Sequence, residues 1–305
     1  MSQPSRSGQP NPNVERSGTL IETEEDVRQA LLSGLKGRPP IPMGLPDAAP
    51  PSPAVAPPPS MPAAPLPAVA KSASPFRPTA RPPIALLTVF DDGRTDGEVI
   101  RLREPRFHIG RTEGDLRIPL DGRMSARHVE ITYQNVGGIH RWVVTDLQST
   151  HGLYVRVSRT VLADKAEFLV GNGRYRFDAP QVDPNTTDDY APTGQVSGET
   201  RGWDDKPSPF RPPALTELIG SEIGNRILLV KLEYWIGSDP SCPICRPDDP
   251  FCESRHVRVY RKPKGGWHAE HNKTPNGLWL RMSQLTVESM AQFQIGEQRF
   301  QLKVT

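Results

Sequence analysis

Between residues 84 and 180 apolar residues arrive in short bursts or in strict alternation with polar ones. Ile84–Phe90, Glu98–Leu102, Arg106–Ile109, His128–Tyr133, Arg141–Thr145, Leu153–Val157, Phe168–Val170 and Arg174–Phe177 each have the length and period of a strand. Gly93, Gly97, Gly110, Gly122, Gly137-Gly138, Gly152 and Gly171 punctuate them. No window repeats at the helical period, so the pattern predicts an all-β sandwich. Residues 212–305 read the same way, with Arg226–Leu232, His256–Arg261, Trp267–Glu270, Leu278–Met282 and Arg299–Val304 as strands.

The chain ahead of residue 84 is different. Thr23 is placed to cap a helix whose first turn holds Glu24, Glu25 and Asp26, favourable for the helix dipole. Val27, Ala30, Leu31 and Leu35 then share a face, predicting a short helix over 23–36, either a marginal one of no consequence or a docking helix. Prolines then crowd into residues 39–83, which hold 17 of the 35 in this 305-residue chain, in runs such as Pro50-Pro51 and Pro57-Pro58-Pro59. Such a stretch has too little bulky apolar surface to offset its chain entropy, so residues 1–83 are expected to be disordered apart from that helix. The sequence Ser74-Pro75-Phe76-Arg77-Pro78 returns as Ser208-Pro209-Phe210-Arg211-Pro212, each copy leading into an apolar run. The echo suggests two tandem domains, 84–180 and 212–305, joined by a polar linker over 181–211.

Charge narrows the function classes. Net charge is +2, and residues 84–180 carry 14 basic and 13 acidic groups against 12 and 10 in 212–305. That balance lacks the concentrated basic face of a nucleic-acid binder. Three cysteines are an odd number for a disulfide-stapled secreted domain, and neither a signal segment nor an apolar run of membrane length is present. A cytoplasmic protein without membrane contact is expected. No phosphate-binding loop, nucleophile elbow or kinase signature occurs, and the paired acids Asp91-Asp92, Asp188-Asp189 and Asp248-Asp249 lie in turn or linker sequence without a partner base. An enzyme is not expected, and neither is a cofactor.

Three segments carry recognition chemistry. Arg111 follows Gly110 at a strand end, where its guanidinium offers a planar fork to a phosphate. Ser125 supplies a short hydroxyl from a second loop, with Arg127 close by, and Thr150 and His151 offer donors from a third. Loops gathered at one end of a sandwich are the usual place for binding. The order Ile109-Gly110-Arg111, Ser125-Ala126-Arg127-His128 and Asp146-Leu147-Gln148-Ser149-Thr150-His151-Gly152 resembles the forkhead-associated (FHA) family, over residues 84–178. The resemblance implies that Arg111 and Ser125 bind the phosphate of a phosphothreonine and that Thr150 shapes the pocket. It also makes His128 a structural brace, beside the structural Gly110 and Gly152. His151 stands where the family has an asparagine that holds the peptide backbone; an imidazole offers one hydrogen bond where a carboxamide both donates and accepts.

The second repeat resembles the same family in a degenerate form. Ser238 takes the place of the arginine and Glu253 that of the serine, where a carboxylate repels phosphate. Cys242, Cys245, Cys252 and His256 have spacing compatible with zinc, against the alternative of packed thiols and a structural His256. The expected function is a phosphothreonine-dependent adaptor for proteins marked by a Ser/Thr kinase, the rival being a phosphate-independent scaffold. Thr23, among acidic residues, and Thr186-Thr187 ahead of Asp188-Asp189 also raise self-binding of a phosphorylated tail.

Overall fold

The computed structural model describes residues 19–35, 84–90, 96–182, 210–220, 222–263 and 265–305. The proline-rich stretch and most of the 181–211 linker, with Thr186 and Thr187, lie outside the described residues. The first half of the chain holds β1 (Leu20–Ile21), α1 (Glu24–Leu35), β2 (Ala85–Phe90), β3 (Gly97–Leu102), β4 (Arg106–Gly110) and β5 (Leu116–Arg117). It continues with β6 (Val129–Val136), β7 (Ile139–Asp146), β8 (Leu153–Leu162), β9 (Glu167–Val170), β10 (Gly173–Asp178) and β11 (Gln181–Val182). The second half opens with β12 (Phe210–Arg211), β13 (Ala214–Ile219), β14 (Glu222–Leu228), β15 (Glu233–Gly237), β16 (Ile244–Cys245) and β17 (Val257–Arg261). It closes with β18 (Trp267–His271), β19 (Leu278–Met282), β20 (Gln284–Val287), β21 (Met290–Ile295) and β22 (Gln298–Val304). The fold is all-β, as the alternating pattern predicts.

The two halves exchange their last strands. β2 lies between β3 and β22, with Leu87 opposite Ile100 on one side and Leu302 on the other. β7 is flanked by β6 and by β20, where Val144 faces Leu285. The sandwich built on 84–152 is thus completed by β20, β21 and β22. Reciprocally, β10 pairs with β13, setting Phe177 opposite Leu215, and β18 pairs with the end of β8, setting Ala269 opposite Thr160. The second sandwich is completed by 159–178.

The reason is local. Returning into its own sandwich would require a hairpin soon after Gly152, yet Leu153–Leu162 contains neither glycine nor proline and is rich in β-branched residues. The strand expected to stop near Val157 therefore runs on to Leu162 and leaves its own sandwich. β19 and β20, interrupted only at Ser283, do the same in the opposite sense. β8 and β19 pair antiparallel around Val155 and Leu280, relating the halves by a pseudo-two-fold.

Each exchange is fastened at a turn. Asp121, in the first half, accepts the backbone N–H of Glu297 at 2.7 Å, and Asp249, in the second, accepts that of Asn172 at 2.9 Å. Gly296 (φ +60°) and Gly171 (φ +56°) let each turn approach its carboxylate; a Cβ there would lie 2.2 and 2.7 Å from Asp oxygens. One continuous core joins both halves: Phe293 and Phe300 stack at 5.2 Å in the first sandwich, and Phe177 meets Trp267 at 6.4 Å in the second.

The N-terminal segment is docked on this frame. β1 pairs with β8, Leu20 opposite Arg159 and Ile21 opposite Val157. Thr23 caps α1: its Oγ accepts from the N–H of Asp26 at 3.3 Å, while its own O–H donates to the Asp26 carboxylate at 2.8 Å. Val27 and Ala30 are buried.

Candidate functional site: three loops at one end of the first sandwich

Three loops meet here because their backbones approach closely. β4 ends at Gly110, where a Cβ would lie 2.2 Å from the carbonyl oxygen of Ala126. The N–H of Arg111 donates to the carbonyl of Ser125 at 2.9 Å, and that of Glu113 to Ala126 at 2.9 Å, stitching the first loop to the second. The Ser125 Oγ accepts the N–H of Thr150 at 3.2 Å, which brings in the third. Its hydroxyl proton is left to donate.

Under the loops lies His128, fully buried. Its Nδ1 accepts the N–H of Ser125 at 3.2 Å, so its hydrogen sits on Nε2 and donates to the carbonyl of Gly152 at 3.1 Å. Burial holds its pKa below the usual histidine value, against the raising effects of the Gly152 carbonyl and Asp146. This ring spans loops and is neutral, consistent with a brace. Within the third loop Ser149 donates to Asp146 at 2.6 Å and accepts the N–H of Gly152 at 2.9 Å.

Around this frame the side chains foreseen for phosphate are brought together. Arg111 is half-buried, and among the described residues no carboxylate pairs with its guanidinium. Thr150 is exposed beside Ser125, and His151 is half-buried. Arg127 is exposed immediately before the buried His128. An unpaired guanidinium, a hydroxyl with a free proton and adjacent loop donors are the chemistry of oxyanion capture.

The second sandwich repeats the bond between the first two loops and both bonds of the histidine brace. The N–H of Ser238 donates to Glu253 O at 2.9 Å, and that of Glu253 to His256 Nδ1 at 3.1 Å. His256 Nε2 donates to Gly277 O at 2.9 Å. Burial pushes the His256 pKa down to about 4. The positions of Arg111 and Ser125 are held here by Ser238 and Glu253, an uncharged group and an acid.

The zinc alternative loses its ligands to this frame. Both ring nitrogens of His256 are engaged by backbone, the Cys242 thiol donates to Ser254 O at 3.2 Å, and Cys245 is directed to Ser238 O at 3.8 Å. Among the described residues no three His, Cys, Asp or Glu side chains are grouped to hold a metal ion.

Sequence reasoning missed the residues contributed across the exchange. Arg281 lies against Gly152, where a Cβ would meet its Nε at 2.4 Å, and it donates to Glu167 at 3.0 Å. Only strand pairing brings position 281 to position 152, and no local pattern announces it.

Among solved structures, full-length yeast Pml1p is 24% identical over 24% of this chain and 58% of its own, with a TM-score of 0.23. The chain therefore spans little more than half of that protein. A chain from a structural and functional analysis of phosphothreonine-dependent FHA domain interactions is 29% identical over 30% of this chain and 91% of its own, with a TM-score of 0.20. No curated protein matches. Residues 107–171, which contain Arg111, Ser125, Arg127, Thr150 and His151, match the family model of the FHA domain.

Proposed function

We propose that the loop end built from Arg111, Ser125, Arg127, Thr150 and His151 captures a phosphothreonine in a partner protein. FHA domains as a family mediate phosphothreonine-dependent protein–protein interaction, and the match lies on the segment that holds these residues. The observation that carries the reading is the guanidinium of Arg111, paired with no carboxylate among the described residues, beside a Ser125 hydroxyl already oriented by the Thr150 N–H. Such a mark is written by a Ser/Thr kinase, so the protein acts as an adaptor in kinase signalling. Among the described residues no helix is long and apolar enough to cross a membrane. We assign the second loop end a supporting role without phosphate, since Ser238 and Glu253 offer neither a cation nor a suitable donor.

Titration of the full chain with a phosphothreonine peptide library and its unphosphorylated twin tests this. Arg111→Ala and Ser125→Ala are each expected to weaken phosphopeptide binding about ten- to a hundred-fold, the worth of a hydrogen bond to a charged group. Unchanged calorimetric affinity in Arg111→Ala removes the site. Equal binding of the unphosphorylated twin supports the scaffold reading.

A further inference from the structure

The pseudo-two-fold makes residues 125 apart equivalent along the exchanged strands, and one equivalence fails. In the first sandwich Arg281 beside Gly152 has a resident carboxylate, Glu167 on β9, at 3.0 Å. Its counterpart is Arg156 beside Gly277, and the counterpart of Glu167 is the neutral Gln292 at 3.4 Å. Arg156 is almost fully buried and donates otherwise to the carbonyls of Pro275 at 2.9 Å and Thr274 at 3.2 Å. A second guanidinium, Arg299, lies 5.0 Å from the centre of the Trp279 ring, with Arg156 5.9 Å from the same centre. The crevice is thus cationic and holds no carboxylate from either sandwich against Arg156 among the described residues.

The missing acid arrives from outside the sandwiches. Glu22 is 2% exposed and contacts both Arg156 Nε and His271 Nε2. His271 Nδ1 accepts the N–H of Thr274 at 3.1 Å, so the remaining imidazole hydrogen is on Nε2, directed to Glu22. The backbone at this point also invites an added strand. β21 pairs with β8 only at residues 153–155, leaving that edge of β8 open beyond Val155; β1 fills it at Val157 and Arg159. An open strand edge with side-chain pockets beside it binds extended peptides.

We propose that the open edge of β8, with Arg156 and His271 beside it, is a binding site for an extended peptide of the pattern apolar–apolar–glutamate. Its occupant is the chain's own Thr19–Leu35 segment, held as an exchangeable ligand. Leu20 and Ile21 supply the strand and Glu22 the anion. Val27 and Ala30 of the helix that follows are buried. Forty-eight residues, 36–83, separate Leu35 from Ile84, and their contour length of up to ~160 Å lets the segment leave and return without unfolding either sandwich. Tethering at that length supplies an effective concentration on the order of millimolar. An outside peptide therefore competes only when the tethered segment is weakened.

The test uses full-length chains and a fluorescent peptide of residues 17–36. A full chain carrying Glu22→Lys is expected to bind the peptide saturably and at least tenfold more tightly than the wild-type chain, whose site is filled. The same peptide carrying Glu22→Gln is expected to bind the Glu22→Lys chain at least tenfold more weakly. Saturating wild-type peptide should also return hydrogen exchange at residues 156–160 of the Glu22→Lys chain to the wild-type rate. Equal binding to both chains, no binding to the Glu22→Lys chain, or indifference to the peptide's own Glu22 overturns the proposal.

Discussion

His128 and His256 do the same physical work, each taking one backbone N–H and returning one hydrogen bond to a glycine carbonyl at the base of the third loop. The position of each could be picked out in the sequence, since the resemblance assigns a brace to the histidine three residues after Ser125 and the same spacing from Glu253 reaches His256. Their protonation was not legible, because it depends on burial. The unfolded chain protonates His256 near 6.5, whereas the folded chain does so only near 4. Protons therefore favour the unfolded state in this window, and stability falls as pH drops from 6.5, by up to about 1.4 kcal/mol per pH unit. His128, also lowered by burial, acts in the same direction. Urea titration at pH 7 and pH 5 should show a loss of roughly 2 kcal/mol or more. A His256→Asn chain should be less stable at pH 7 yet lose less between the two pH values. A wild-type chain equally stable at both contradicts the burial argument.

At the scale of elements, period-two alternation placed most strands, since a half-buried strand writes its own pattern. The partner of a strand is not written there. Leu153–Val157 reads as a strand of the first repeat, and only the lack of a turn residue before Ala163 hints that it crosses over. Short strands without a strong apolar stretch, such as Gln284–Val287, were missed for the same reason: their burial comes from β7, far away in sequence. The exchange has a direct consequence for dissection. A fragment of residues 80–182 leaves one edge of β2 unpaired and removes Phe293, Phe300 and Leu302 from its core, each fully buried in the intact chain. Losing a buried phenylalanine typically costs ~3–5 kcal/mol, comparable to much of the stability of a small domain. The fragment is expected not to fold alone, and to fold when mixed with residues 210–305. Circular dichroism melts of each fragment and of the mixture check this. A cooperative melt of 80–182 alone counts against the exchange.

For the whole molecule, one frame is used twice with opposite electrostatics. The first loop end presents Arg111 and Ser125, the second Ser238 and Glu253, on the same set of backbone hydrogen bonds. If the frame is conserved and only the chemistry differs, converting the second end should be possible. In a full chain already carrying Arg111→Ala, adding Ser238→Arg with Glu253→Ser is expected to restore phosphothreonine-peptide binding, weaker than wild type. Glu253→Ser alone should restore none. Calorimetry that finds no gain in the double conversion shows that the third loop, where Pro275 and Asn276 replace Thr150 and His151, is also decisive.

The exchange also sets an order in time. During synthesis β2, at residues 85–90, emerges more than two hundred residues before β22, its partner at 298–304. Arg111, Ser125 and Thr150 are therefore all made while the sandwich that supports them is still missing three strands. The second sandwich meets no such delay, because its borrowed strands precede it. It can close first, on β9 and β10, as soon as β18 has left the ribosome. Contacts so distant in sequence form slowly, so the nascent first half exposes unpaired edges for longer, the condition under which chains recruit chaperones or aggregate. The three-loop end is then the last part of the protein to come into being.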